Sequence, residues 1–137
     1  MGPKVSVTWS GECHKGLAHG QGIVQWFTDG KPDDRYEGAY LAGKRQGRGE
    51  YRWANGDHYL GGYLVDAPNG IGFLRTSNGT HGGIWVYGCL NNGNLLVALE
   101  VEASACGANN PAQPRLTQRT TRSQAHERLP EAAISRP

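Results

Sequence analysis

No stretch of this 137-residue chain stays apolar for long. The longest such run, near Leu95–Leu99, is far below the ~20 residues that cross a bilayer as a helix. No basic n-region followed by an apolar h-region opens the chain. As it stands, the sequence implies a soluble, cytoplasmic protein; exported or periplasmic residence would require trimming from a longer precursor. Charge of one sign is scarce, with a formal net charge of only +2. The residues up to Cys106 are near neutral, and the mildly basic remainder (Arg115, Arg119, Arg122, Arg128 and Arg136) lacks any nucleic-acid recognition signature, so no nucleic-acid partner is expected.

Chemistry-bearing patterns are equally sparse. His14 and His126 have no Cys or His neighbour at zinc spacing, so no metal site is expected. Gly20-x-Gly22, Gly47-x-Gly49 and Gly70-x-Gly72 form half of a dinucleotide fingerprint, but the third glycine is missing and no P-loop lysine appears, which excludes the common cofactor cradles. None of the serines stands in a nucleophile elbow. The acidic pairs Asp33/Asp34 and Glu100/Glu102 read as solvated charges in a loop and on a terminal strand. No catalytic residue and no cofactor is assigned.

Glycine, by contrast, is abundant and periodic. Tyr36, Gly38, Tyr40, Gly47 and Gly49 recur 23 positions on as Tyr59, Gly61, Tyr63, Gly70 and Gly72. Trp9, Gly11, Gly20, Gly22 and Trp26 stand in the same order upstream. A period of this size predicts a stacked array, because one small unit cannot bury its own apolar face. Alternating apolar positions such as Val7/Trp9 and Tyr51/Trp53 make the elements strands, and Asn-Gly at Asn55, Asn69, Asn78 and Asn92 marks hairpin turns. His58 and His81 share the slot of Arg35, and His19 that of Gln46 and Asn69, so these histidines read as polar surface. Lys31–Asp34 reads as an extended loop that lengthens the first period.

The pattern Tyr-x-Gly-x-Tyr, a following Gly-x-Gly and a closing Asn-Gly resembles the membrane occupation and recognition nexus (MORN) repeat, and the tryptophan-rich phrasing is similar to bacterial members. The resemblance implies an all-β, elongated, open antiparallel solenoid of hairpins and a non-catalytic binding or scaffolding role. The units are 7–35, 36–58 and 59–81, with a degenerate cap at 82–106. In that cap Trp85 and Tyr87 fall out of step, and Leu95, Val97, Leu99 and Val101 alternate with polar residues. Residues 107–137 carry no apolar period and are expected to be disordered.

Stacked in register, Trp9, Trp26, Tyr36, Tyr40, Trp53, Tyr59 and Tyr63 form an aromatic groove, the expected contact surface for an unidentified protein partner. The alternative is weak binding of anionic phospholipid headgroups through Lys44, Arg45, Arg48 and Arg52; at about 1 kcal/mol per basic residue this recruits only weakly. Three cysteines leave two states open. Cys13 lies three repeats from Cys89, beyond disulfide reach, whereas Cys89 and Cys106 can meet if the chain reverses after Val101. That bridge would imply an oxidising compartment; three free thiols would suit the cytosol.

Overall fold

The computed structural model describes residues 2–91, 96–106 and 115–119. Strands β1 (Val5–Trp9) and β2 (Glu12–His14) both pair with the long β3 (Leu17–Thr28). The sheet continues through β4 (Lys31–Leu41), β5 (Lys44–Arg52), β6 (His58–Leu64), β7 (Ala67–Thr76), β8 (Gly79–Val86), β9 (Cys89–Asn91) and β10 (Leu96–Leu99). From β3 to β10, neighbours in sequence are neighbours in space and antiparallel, giving one open sheet of hairpins.

Most hairpins close through two residues that both have positive φ: Lys15-Gly16, Asp29-Gly30, Ala42-Gly43, Val65-Asp66 and Tyr87-Gly88. Such turns match the right-handed twist of the flanking strands. The loop at Asn55-Gly56 and the turn at Asn78 lie where the sequence predicts them, while Asn92 lies outside the described residues. Asn69-Gly70 is not a turn. It lies inside β7, and Gly70, at φ +92°, accommodates the register break opposite Gly61–Tyr63. Lys31–Asp34 is not a loop either. It begins β4, with Pro32 opposite Phe27 beside an irregularity in the ladder that spares proline a donor role.

One continuous row crosses the inner face: Trp9, Val24, Tyr36, Tyr51, Tyr59, Leu74 and His81 stand opposite one another strand by strand. His81 therefore takes the slot of Tyr59, 22 positions on, and does not share that of His58. Five residues separate Arg52 from its partner His58 and four separate the equivalent Arg75 from its partner Thr80, so the fourth unit keeps the repeat with its phase moved by one. Gly83 follows Gly61 and Trp85 follows Tyr63, which puts Trp85 in step.

The sequence motif has a packing cause. The ring of Trp9 covers Gly11 and Gly22, that of Tyr36 covers Gly38 and Gly49, and that of Tyr59 covers Gly61 and Gly72. A Cβ at Gly49 would fall on the Tyr36 ring itself. Gly49→Ala is therefore expected to cost about 1–3 kcal/mol, the usual range for overpacking, in chemical denaturation; an unchanged midpoint would show that the ring is free to move aside.

The end of the array departs from the predicted cap. Leu96, Val97, Ala98 and Leu99 are all buried, so β10 has no polar outer face. The disulfide Cys89–Cys106, with Cα atoms 5.5 Å apart, ties a 3-10 turn (Ala103–Cys106) back to β9 and leaves Cys13 the free cysteine. Of the stretch 107–137, read above as disordered, Arg115–Arg119 form β11, parallel to β10. Ladder hydrogen bonds are made by the backbone and need no apolar alternation, which is why the sequence pattern missed this strand. The other residues of that stretch lie outside the described ones.

Candidate binding surface

Rings on the inner face stack edge to face in a chain from Trp9 to Tyr40, Tyr36, Tyr63, Tyr59 and Trp85. Their centroids are 5.1–5.5 Å apart, the favoured T-shaped geometry. Trp26, Tyr51 and Trp53 make a second, tilted group. All seven rings expected to line a groove (Trp9, Trp26, Tyr36, Tyr40, Trp53, Tyr59 and Tyr63) are buried. They constitute the core, and that expectation is corrected. A single-layer sheet can bury them because the glycines beneath let the rings lie flat on the backbone.

Arg45 joins this core. Alternation along β5 puts it on the face of Tyr51, away from Lys44, Arg48 and Arg52. It is 2% exposed, and its guanidinium lies 4.7 Å from the Tyr63 ring centroid and 5.5 Å from that of Tyr51. Nε donates to Asp66 Oδ1 (3.1 Å) and Nη2 to the Asp66 carbonyl (2.7 Å). Nη1 and Nη2 also reach the two carboxylate oxygens of Glu100, at 3.1 and 2.8 Å. Asp66 occupies the turn slot held by Gly43 and Gly88 in neighbouring units, with φ +70°, and its Oδ1 also accepts from the Arg45 backbone N–H. Burial raises the Asp66 carboxyl above its ordinary value despite Arg45. The basic cluster is corrected accordingly: Arg45 is withdrawn from it, and Arg52 pairs with Glu50 at 2.9 Å. Glu100, read above as solvated, is a buried partner; Asp34 is buried as well, accepting from Tyr51 Oη and Ala54 N.

The hydrogen bonds between units explain the polar slots. Gln46 Oε1 accepts from Val65 N and Asn69 Oδ1 from Tyr87 N, so each holds the first residue of the next hairpin turn. One step on, Gly43, Asp66 and Gly88 donate to the carbonyls of Ala18, Arg45 and Pro68. Aromatic rings laid on the facing glycines of adjacent strands, with turn tied to turn, make up the unit that repeats. Two of these units are MORN repeats. The MORN repeat family matches residues 9–31 and 36–58. None of the curated proteins matches the chain. MORN repeats are generally implicated in binding proteins or membranes.

With the inner face of the MORN array filled, the outer face remains. In the second unit its outward residues are charged: Glu37 pairs with Arg35, and Glu50 with Arg52. Moved 23 positions on, Glu37, Arg48 and Glu50 become Leu60, Ile71 and Phe73. All three are exposed, with Phe73 opposite Leu60 and Ile71 opposite Ile84. Val86 extends the patch along β8. Ile71 is 66% and Ile84 69% exposed, values at which a large aliphatic side chain contributes little to the fold. Comparing outward slots between repeats would have revealed this patch in the sequence; attention to the aromatics concealed it. Among the described residues no three His, Cys, Asp or Glu side chains are grouped to hold a metal ion.

Proposed function

We propose that this MORN protein is a non-catalytic binding or scaffolding module whose partner is a protein. The partner docks an apolar segment on the outer face of β6–β8. The observation that carries this reading is the replacement of Glu37, Arg48 and Glu50 by exposed Leu60, Ile71 and Phe73 one repeat later. Clustered exposed aliphatics are costly to keep in water and mark interaction sites. The headgroup reading has less support: without Arg45, and with Arg52 paired to Glu50, few basic side chains are left to face a membrane.

Ile71→Ser/Ile84→Ser tests the proposal, since exposed positions of this kind usually shift stability by less than about 0.5 kcal/mol. The wild-type protein is expected to retain a partner from its own cells at about 0.5 M salt, where the Debye length is roughly 4 Å. The variant should lose that partner with its thermal midpoint unchanged, while Arg48→Gln/Arg52→Gln should keep it. Release by salt, together with sedimentation on phosphatidylserine vesicles, would favour the membrane reading instead.

A further inference from the structure

On the face opposite the proposed docking patch, the fork of Arg45 has the features of a built receptor for a carboxylate. Asp66 fixes its Nε edge through a side chain anchored in the β6–β7 turn, and the rings of Tyr36, Tyr51 and Tyr63 hold the guanidinium between them. Beyond Asp66, Nη1 donates to Glu100 Oε2 at 3.1 Å, and Nη2, which also bonds the Asp66 carbonyl, lies 2.8 Å from Glu100 Oε1 in an ion pair, a charge-assisted contact of the kind by which arginine recognises carboxylates. Tyr63 Oη is buried beside it without a hydrogen-bond partner.

Glu100 does not belong to the array that builds this socket. It arrives 55 residues later, on the segment that follows β10, with φ +64°. Val97 and Leu99 of the same segment join the aromatic core, and Leu99 N donates to Gly88 O. The Cys89–Cys106 disulfide closes the loop carrying this segment. The chain thus adds a short apolar strand to the sheet beside β9, carries a glutamate from the end of it to the Arg45 fork, and closes the loop that holds both with a disulfide.

We propose that the edge of β9 on which β10 pairs, together with the Arg45 fork, is a binding cleft for an extended apolar segment ending in an acidic residue, occupied here by residues 96–102 as an internal ligand, and that the disulfide is its latch. Opening the latch requires a dithiol reductant. The reductant's two sulfurs join, the Cys89–Cys106 bond breaks, and two electrons and two protons leave both cysteines as thiols. The internal segment then competes with an external one of the same chemistry, through the carboxylate that Arg45 reads.

The test uses the full chain and a fluorescent peptide with the sequence of residues 96–102, Leu-Val-Ala-Leu-Glu-Val-Glu. Reduced protein should bind it at least about tenfold more tightly than oxidised protein. The peptide carrying glutamine at the position of Glu100 should bind about tenfold more weakly, a step of about 1.4 kcal/mol. Glu100→Gln in the full, oxidised chain should also admit the peptide, since it loosens the internal ligand without touching the disulfide. Failure of both the reduced protein and Glu100→Gln to bind would overturn the proposal, as would equal binding of the glutamine peptide. Loss of the β-sheet signal on reduction would overturn it too, by making the segment part of the fold. None of these readouts involves Ile71 or Ile84, so this cleft and the outer docking patch stand or fall separately.

Discussion

Arg45→Met is expected to destabilise the protein by about 3–5 kcal/mol, the usual cost of removing one partner from a buried ion pair. The methionine fills much the same volume, so the loss is electrostatic. Asp66 and Glu100 would be left as two carboxylates, with side chains 7% and 4% exposed, on either side of the place the guanidinium had held. Arg45→Met/Asp66→Asn/Glu100→Gln should recover most of the loss, because a fully neutral replacement removes the desolvation penalty along with the attraction. Urea denaturation of the two variants measures both quantities. A single variant within about 1 kcal/mol of wild type would mean that water reaches the carboxylates and that the cluster is not closed.

Alkali should unfold the protein in one abrupt step. Burial holds the phenols of Tyr36, Tyr40, Tyr51, Tyr59 and Tyr63 well above the ordinary tyrosine value. Arg45 works against burial at four of them, all but Tyr59, and at Tyr51 the hydrogen bond to Asp34 adds to it. In the unfolded chain these phenols lose their protons from about pH 10, while the folded chain keeps them. Their stabilising contribution is therefore complete below that pH and is lost as pH rises toward the folded values. Each phenol contributes a slope of about 1.4 kcal/mol per pH unit, so the four deepest, Tyr36, Tyr40, Tyr51 and Tyr63, give about 5–6 kcal/mol per unit, with Tyr59 discounted for solvent screening. Against a typical domain stability of 5–15 kcal/mol, collapse is expected within about two units above pH 10. Phenolate absorbance and circular dichroism should change together. A gradual phenolate titration with the sheet intact past about pH 12 would show that solvent reaches the rings.

Several features were legible before any coordinates. The 23-residue recurrence of Tyr36, Gly38, Tyr40 and Gly49 gave the repeat, the strands and the residues that turn inward, because each depends on local alternation and close approach. The reach of a disulfide singled out Cys89 and Cys106 as the pair able to meet, but left open whether they are bridged or free, which the structure decides. Parity along β5 already places Arg45 on the side of Tyr51, and the change from Glu37, Arg48 and Glu50 to Leu60, Ile71 and Phe73 is visible on comparing slots. Both signals were present in the sequence, but the expectations rested on the basic cluster and the aromatic positions instead.

By itself, then, the sequence determined an open MORN array with one aromatic and one mixed face. Only the tertiary structure decided which face is available. Arg45 is closed into the core because the segment from beyond β9 brings Glu100 to it from 55 residues away, while Val97 and Leu99 join the buried cluster. Repeat periodicity reports what a strand does to its neighbours. It carries no information about where a non-repeating segment lands, because that is set by long-range burial and charge pairing. The one-residue phase change that keeps Trp85 in the stack is similar: the shorter β7–β8 connection becomes interpretable once the ladder pairs Leu74 with His81.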